Sequence, residues 1–227
     1  MLYIKNQIRK CAAFSLIEVI LALGVFLVTV LALVGLIGPT LNSVNEVESS
    51  DQISSVVSTV NSFLQDSNTI ANPGQSTFET IYSGIKDRDS LTVFVFQAYL
   101  NNNSEEQRLQ VGFAPGSPVN AAAVLSASDF ELAAGAIFRV VLSASSVLPA
   151  SERSATRDSS MQIYTLNKDY DSYFEGYFAY EVRIFEQQPS PNFDANLLEP
   201  YESGLPANLE SLAVLEPVFE YNGAIVR

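Results

Sequence analysis

Residues 12–19 read Ala12-Ala13-Phe14-Ser15-Leu16-Ile17-Glu18-Val19, set between a short basic leader and a long apolar run. Lys5, Arg9 and Lys10 come first, with no acidic residue among them. From Val19 to Leu41, 23 consecutive residues carry no charge. About 20 apolar residues let a helix span a bilayer, so the run predicts a transmembrane segment. Glu18 stands at its entrance, where a carboxylate costs roughly 2.5 kcal/mol or more once it reaches the hydrocarbon centre. That cost predicts a partner for it.

The order of features separates this segment from other N-terminal signals. A secretory signal peptide has an apolar core of about 7–15 residues followed by its small-residue cleavage site. Here the run is longer and the small residues Ala12 and Ala13 precede it. A lipoprotein signal places a cysteine after the apolar run, whereas Cys11 lies before it. An ordinary uncleaved anchor meets the length rule but gives no reason for Glu18 or for Phe14-Ser15-Leu16-Ile17-Glu18 at the entrance.

Basic leader, small residue, Phe, Glu and apolar run, in that order, resemble the type IV prepilin signal of pilins, pseudopilins and their minor subunits. The resemblance implies a prepilin peptidase that cuts between Ala13 and Phe14 on the cytoplasmic side, with N-methylation of Phe14. It also implies that the Glu18 carboxylate pairs with the terminal amine of a neighbouring subunit. A buried carboxylate and a buried ammonium each cost several kcal/mol alone, and pairing offsets much of this. Ala13 departs from the glycine usual before the cut; alanine is the next smallest side chain.

Charge orients the chain. The leader carries +3, and residues 46–227 carry 9 basic and 24 acidic side chains. Basic residues beside a span favour the cytoplasmic side, so the N-terminus is expected inside and the large remainder outside, periplasmic or extracellular. An acidic domain is soluble and repels phosphate backbones, so no nucleic acid is expected as a partner. Cys11 is the only cysteine and falls in the leader, so the exported part is expected to hold together without a disulfide. The chain has no histidine, which removes histidine bases, the usual catalytic triads and His-ligated metals.

Beyond the span, Leu41, Val44, Ile53, Val56, Val57, Val60, Phe63 and Leu64 recur mostly three or four apart. This predicts one face of an amphipathic helix. Gly35, Gly38 and Pro39 are expected to kink or locally melt the helix, and Asn72-Pro73-Gly74 to end the pattern. Strands are predicted over Leu91–Leu100, Ala136–Leu142, Met161–Leu166, Tyr177–Glu186 and Val214–Tyr221, with a short pairing at Ala224–Val226. Tyr177–Glu186 alternates as a half-buried antiparallel strand does. A long helix followed by antiparallel strands is a layered α+β pattern, and pilin resemblance implies the same fold: a long N-terminal helix, transmembrane then amphipathic, packed on an antiparallel sheet.

Candidate chemistry is sparse. Asp169 and Asp171, within Asn167-Lys168-Asp169-Tyr170-Asp171, offer alternate oxygens suited to Ca²⁺, and some pseudopilins bind calcium in a late loop. A calcium loop needs six to eight oxygens, usually with a Gly and a closing Glu that are missing here, and a turn explains the same residues. The two aspartates therefore stand as calcium candidates only. Lys86-Asp87-Arg88-Asp89 is expected to be a solvated turn before a strand. No phosphate loop or nucleophile elbow occurs. Regular alternation around Tyr170, Tyr173, Phe174, Tyr177, Phe178 and Tyr180 favours core plus edge over a ligand platform.

The expected organisation is a cytoplasmic leader over 1–13, a long helix over 14–66 with its transmembrane part at 14–38, and a strand-rich exported domain over 67–227. The expected function is that of a minor pilin-like or pseudopilin-like structural subunit, not an enzyme, in a type IV pilus or type II secretion-like filament. Its partners are then the prepilin peptidase, other pilin-like subunits in a helical filament, and the inner membrane. The general layout and strand-rich end also resemble the prepilin-like components of Verru_Chthon cassettes. The alternative is a single-pass, membrane-anchored extracytoplasmic binding or hydrolytic domain, marked by a deep pocket with convergent carboxylates.

Overall fold

The computed structural model describes residues 15–100, 106–158, 162–187 and 216–227. It divides into two compact units between Gln52 and Ile53. Helix α1, Leu16–Leu64, belongs to both. It continues through Gly38 and Pro39 in helical hydrogen bonding, so the backbone does not melt where the helix breakers predict.

The second unit is α+β, with helices packed on a five-stranded antiparallel sheet of order β2-β1-β3-β4-β5. The strands are β1 Ser90–Tyr99, β2 Gln107–Phe113, β3 Ala133–Ala144, β4 Tyr177–Gln187 and β5 Phe219–Val226. Within this unit, α1 buries Val56, Val60 and Leu64 of the predicted stripe, and Phe63 packs against the core only partly buried. These join Val93, Val95, Val140, Leu142, Val182 and Ile184 from one sheet face in the main core. The Tyr221 hydroxyl donates to Asn61 Oδ1 at 3.0 Å, tying β5 to α1.

Two short helices follow α1: α2, Ser67–Ile70, and α3, Thr77–Arg88. The chain expected to form a turn at Lys86–Asp89 is instead the end of α3. Ser76 caps the start, its hydroxyl accepting from the Glu79 N–H at 3.1 Å. Phe78, Ile81, Tyr82 and Ile85 form its buried face. Lys86 and Arg88 occupy the last turn, where positive charge complements the helix dipole. Asp89 then leaves the helix with a left-handed φ of 62°.

The other sheet face is covered too, which corrects the half-buried reading of β4. Phe178, Tyr180, Val182 and Ile184 are buried as expected, but so are Ala179, Glu181, Arg183 and Phe185. Phe94 and Phe96 of β1 pack with Phe130 from the short helix α4, Ala127–Glu131. Val141, Ile163 and Phe185 form a further cluster on the same side. The predicted strand at Met161–Leu166 is not a strand where it is described. Tyr164 and Leu166 make single bridges to Ala144 and Arg153 inside a self-bonded excursion. Residues 214 and 215 lie outside the described residues, Pro217 precedes β5, and the predicted pairing at Ala224–Val226 is the second half of β5.

The β1–β3 ladder carries a register shift. Register shifts between Phe96 and Gln97, which face Ile137 and Ala134, so β3 carries extra residues there. Gly135 sits in that bulge with φ of 84°, a conformation that side chains other than glycine's resist.

Candidate functional site

The first turn of α1 holds Glu18. Its N–H, and that of Val19, donate to the Ser15 carbonyl at 3.0 and 3.2 Å, closing the start of the helix. Glu18 is exposed. It is the only charged residue of the 21-residue stretch Leu16–Leu36, long and apolar enough to cross a bilayer, none of which is buried against the rest of the protein. Large side chains are exposed all round this stretch, Leu16 at 79 % and Phe26 at 65 % among them. A helix apolar on every side is a buried or membrane helix rather than a surface one. Length and composition of this kind belong equally to a membrane anchor and to a signal sequence. The hydroxyl of Thr29 donates back to the Val25 and Phe26 carbonyls at 2.5 and 3.1 Å, so that polar group is satisfied without water. Ala13 and Phe14, the expected processing residues, lie outside the described residues.

Several charged groups of the sheet unit form structural pairs. Arg157 holds the buried Glu181 through two short hydrogen bonds, 2.9 and 2.6 Å, while Arg183 Nε lies 3.7 Å from the same carboxylate. Burial works against the Arg157 charge, but Glu181 more than compensates and raises its pKa. For Arg183, burial prevails with help from the Arg157 charge, and its pKa falls. On the excursion, Lys168 reaches Glu152 at 2.6 Å. Tyr173 is pushed up to about 12 by burial and then by the Glu152 charge, and its hydroxyl donates to the Tyr177 carbonyl. Tyr82 shifts upward for the same first reason. Its hydroxyl donates to the Lys168 carbonyl at 2.8 Å. The aromatic group splits as its alternation suggests: Tyr173, Phe178 and Tyr180 are core, and Phe174 and Tyr177 are exposed.

Asp169 and Asp171 flank the start of a 3-10 turn, Tyr170–Ser172. Asp169 is largely exposed and lies 3.7 Å from Lys86 Nζ, so an ammonium already faces it. Among the described residues, no cluster of three or more acidic, His or Cys side chains gathers as a metal would require.

One cleft opens beside the edge strand β2. It has a volume of about 380 Å³ and is lined in part by Arg108, Gln110, Val111, Val124, Leu125 and Asp129. Asp129 is its single carboxylate, and it accepts from the backbone N–H and hydroxyl of Ser126 at 2.8 and 2.7 Å, capping α4. A hydrolytic carboxylate pair does not converge there.

These observations define a class: a protein with one N-terminal apolar helix leading into a helix-on-antiparallel-sheet domain, an arrangement consistent with pilin-like architecture. The chain matches no family model, no curated protein and no solved structure.

Proposed function

We propose that this chain is a minor pilin-like or pseudopilin-like subunit that assembles through its N-terminal helix into a type IV pilus or type II secretion-like filament. The observation that carries the reading is Glu18: one carboxylate in the first turn of α1, within a stretch, Leu16–Leu36, that is otherwise uncharged and unburied. A plain anchor gains nothing from that charge, whereas a helix that must align with copies of itself gains a register mark. In this reading the leader is removed between Ala13 and Phe14, the subunit waits in the inner membrane with its sheet domain outside, and neighbouring helices replace lipid on assembly. The role is structural, not enzymatic, and it needs no nucleic acid.

Exchange of Glu18 tests the reading. Glu18→Ala is expected to leave insertion, cleavage and the sheet domain intact while lowering filament incorporation at least tenfold. A lone subunit can keep the carboxylate near the interface, where water and snorkelling reduce its cost. A packed filament cannot, and without Glu18 the incoming amine is left unmatched. Glu18→Gln should fall between the two, since it keeps an acceptor without the charge. The readout is the ratio of subunit in sheared filaments to subunit in membranes. Equal ratios for all three chains would contradict the assembly role.

A further inference from the structure

The edge strand β2 borders a slot that is open at one end and closed at the other. The Leu100 N–H donates to the Glu106 carbonyl, so by the register of β1 and β2 the residues Gln107, Leu109 and Val111 turn their backbone groups outward. At Phe113 the chain itself takes that outer edge: Val124 bridges Phe113 in parallel, and the Leu125 N–H donates to the Phe113 carbonyl. The 380 Å³ cleft lies between Arg108–Val111 on one side and Ala122–Leu125 on the other, a volume of the size that holds a ligand. A strand laid along β2 meets the 123–125 segment and has to stop. Only the end of a chain fits the slot.

The groups at the closed side decide which end. The N–H groups of Ala122, Ala123, Val124 and Leu125 are spent inside the chain, on Asn120 Oδ1 and on the carbonyls of Asn120, Ala121 and Phe113. Gln110 Nε2 donates to Asp129 Oδ1 at 3.4 Å. Beyond β2 itself, that side therefore offers acceptors: backbone carbonyls and the Asp129 carboxylate. A terminal carboxylate is repelled there, whereas a terminal ammonium finds partners for its donors. Since β2 runs from Gln107 towards the closed end, a chain with its amine at that end lies antiparallel to β2.

Register then sets the side chains such an end would need. With its first residue beside Gln110, short of the 123–125 segment, the second faces Leu109, the third Arg108 and the fourth Gln107. The second and fourth residues exchange backbone bonds with Leu109 and Gln107, the rows whose groups point outward. Leu109 is 40 % exposed and gains cover from an apolar second residue. Arg108 is exposed and lines the cleft, so an acidic third residue is favoured opposite it.

We propose that β2 is a docking edge for the free amino end of an extended partner chain, recognised by its amine, an apolar second residue and an acidic third residue. The mode is strand addition, in which backbone bonds give affinity and alternate side chains give specificity. The closed end of the slot restricts it to chain termini. Docking also covers an edge that a soluble domain otherwise leaves open to indiscriminate pairing. It uses none of the residues on which the reading of the N-terminal helix depends, and either can fail alone.

A peptide array probed with the detergent-extracted full chain tests the docking. Its members are Ala-x-x-Thr-Gly peptides coupled through their C-termini, with the second and third positions varied over all residues. Free-amine peptides with Val, Ile or Leu second and Asp or Glu third should hold the chain at least tenfold above the others. Acetylation of the array should remove that signal. Arg108→Glu should move the third-position preference to Lys and Arg at an unchanged melting temperature, and Asp129→Asn should narrow the difference between free and acetylated peptides. An array that holds no chain overturns the proposal, as do equal signals from acetylated peptides or an unmoved preference in Arg108→Glu. A silent array with a chain that elutes as a dimer would assign the edge to a second copy instead.

Discussion

Replacing Val60 with Asp is expected to destabilise the sheet domain by about 4 kcal/mol or more, because it places an unpaired carboxylate in the main core. Val60 has no exposed surface, and its neighbours in the core come from α1 and the sheet. The substitution removes an apolar side chain and supplies no cation or donor in exchange. In a domain of this size the loss corresponds to a fall on the order of 10 °C in melting temperature. Thermal unfolding of the detergent-extracted chain, followed by tyrosine fluorescence, measures it. An unchanged midpoint would show that the Val56-Val60-Leu64 stripe does not pack on the sheet.

The second large effect belongs to Glu181. Its carboxylate is buried between Arg157 and Arg183. Glu181→Ala leaves two guanidinium groups facing each other across the missing charge, one of them buried. Breaking a buried pair by removing one partner costs about 3–5 kcal/mol. Arg157→Ala should cost less, because Arg157 is about a third exposed and Arg183 remains beside the carboxylate. Urea unfolding midpoints of the two variants should therefore order with Glu181→Ala the lower. The reverse order would mean that the buried carboxylate depends on Arg157 and that Arg183 does not compensate for its loss.

The sequence carries some parts of this architecture openly and hides others for definite reasons. The apolar run and the Val56-Val60-Leu64 stripe are long periodic patterns, and such patterns survive tertiary context. Strands β1, β3 and β4 are dense in β-branched and aromatic residues and are equally legible. Helix α3 was missed although Ser76-x-x-Glu79 and the spacing of Phe78, Ile81, Tyr82 and Ile85 announce it; the mixed charges of Lys86–Asp89 drew a turn reading instead. Strand β2 escaped because Gln107-Arg108-Leu109-Gln110 has few of the residue types that mark strands, as edge strands often do. The burial of Glu181 and Arg183 was illegible for a different reason. Alternation reports two faces of a strand, but it cannot say that distant residues such as Arg157 and Ile163 cover the polar one. At the N-terminus the position of Glu18 is legible from sequence alone, while the roles of Ala13 and Phe14 rest on resemblance and lie outside the described residues.

The mature N-terminus tests the central claim most directly. Intact-mass analysis of chain extracted from membranes is expected to show a protein that begins at Phe14 and carries one added methyl group. That outcome requires a cut before the apolar run, which neither a secretory signal peptide nor an uncleaved anchor undergoes. A mature pool that retains Cys11 or Met1, or one cut after the apolar run, would contradict the prepilin reading.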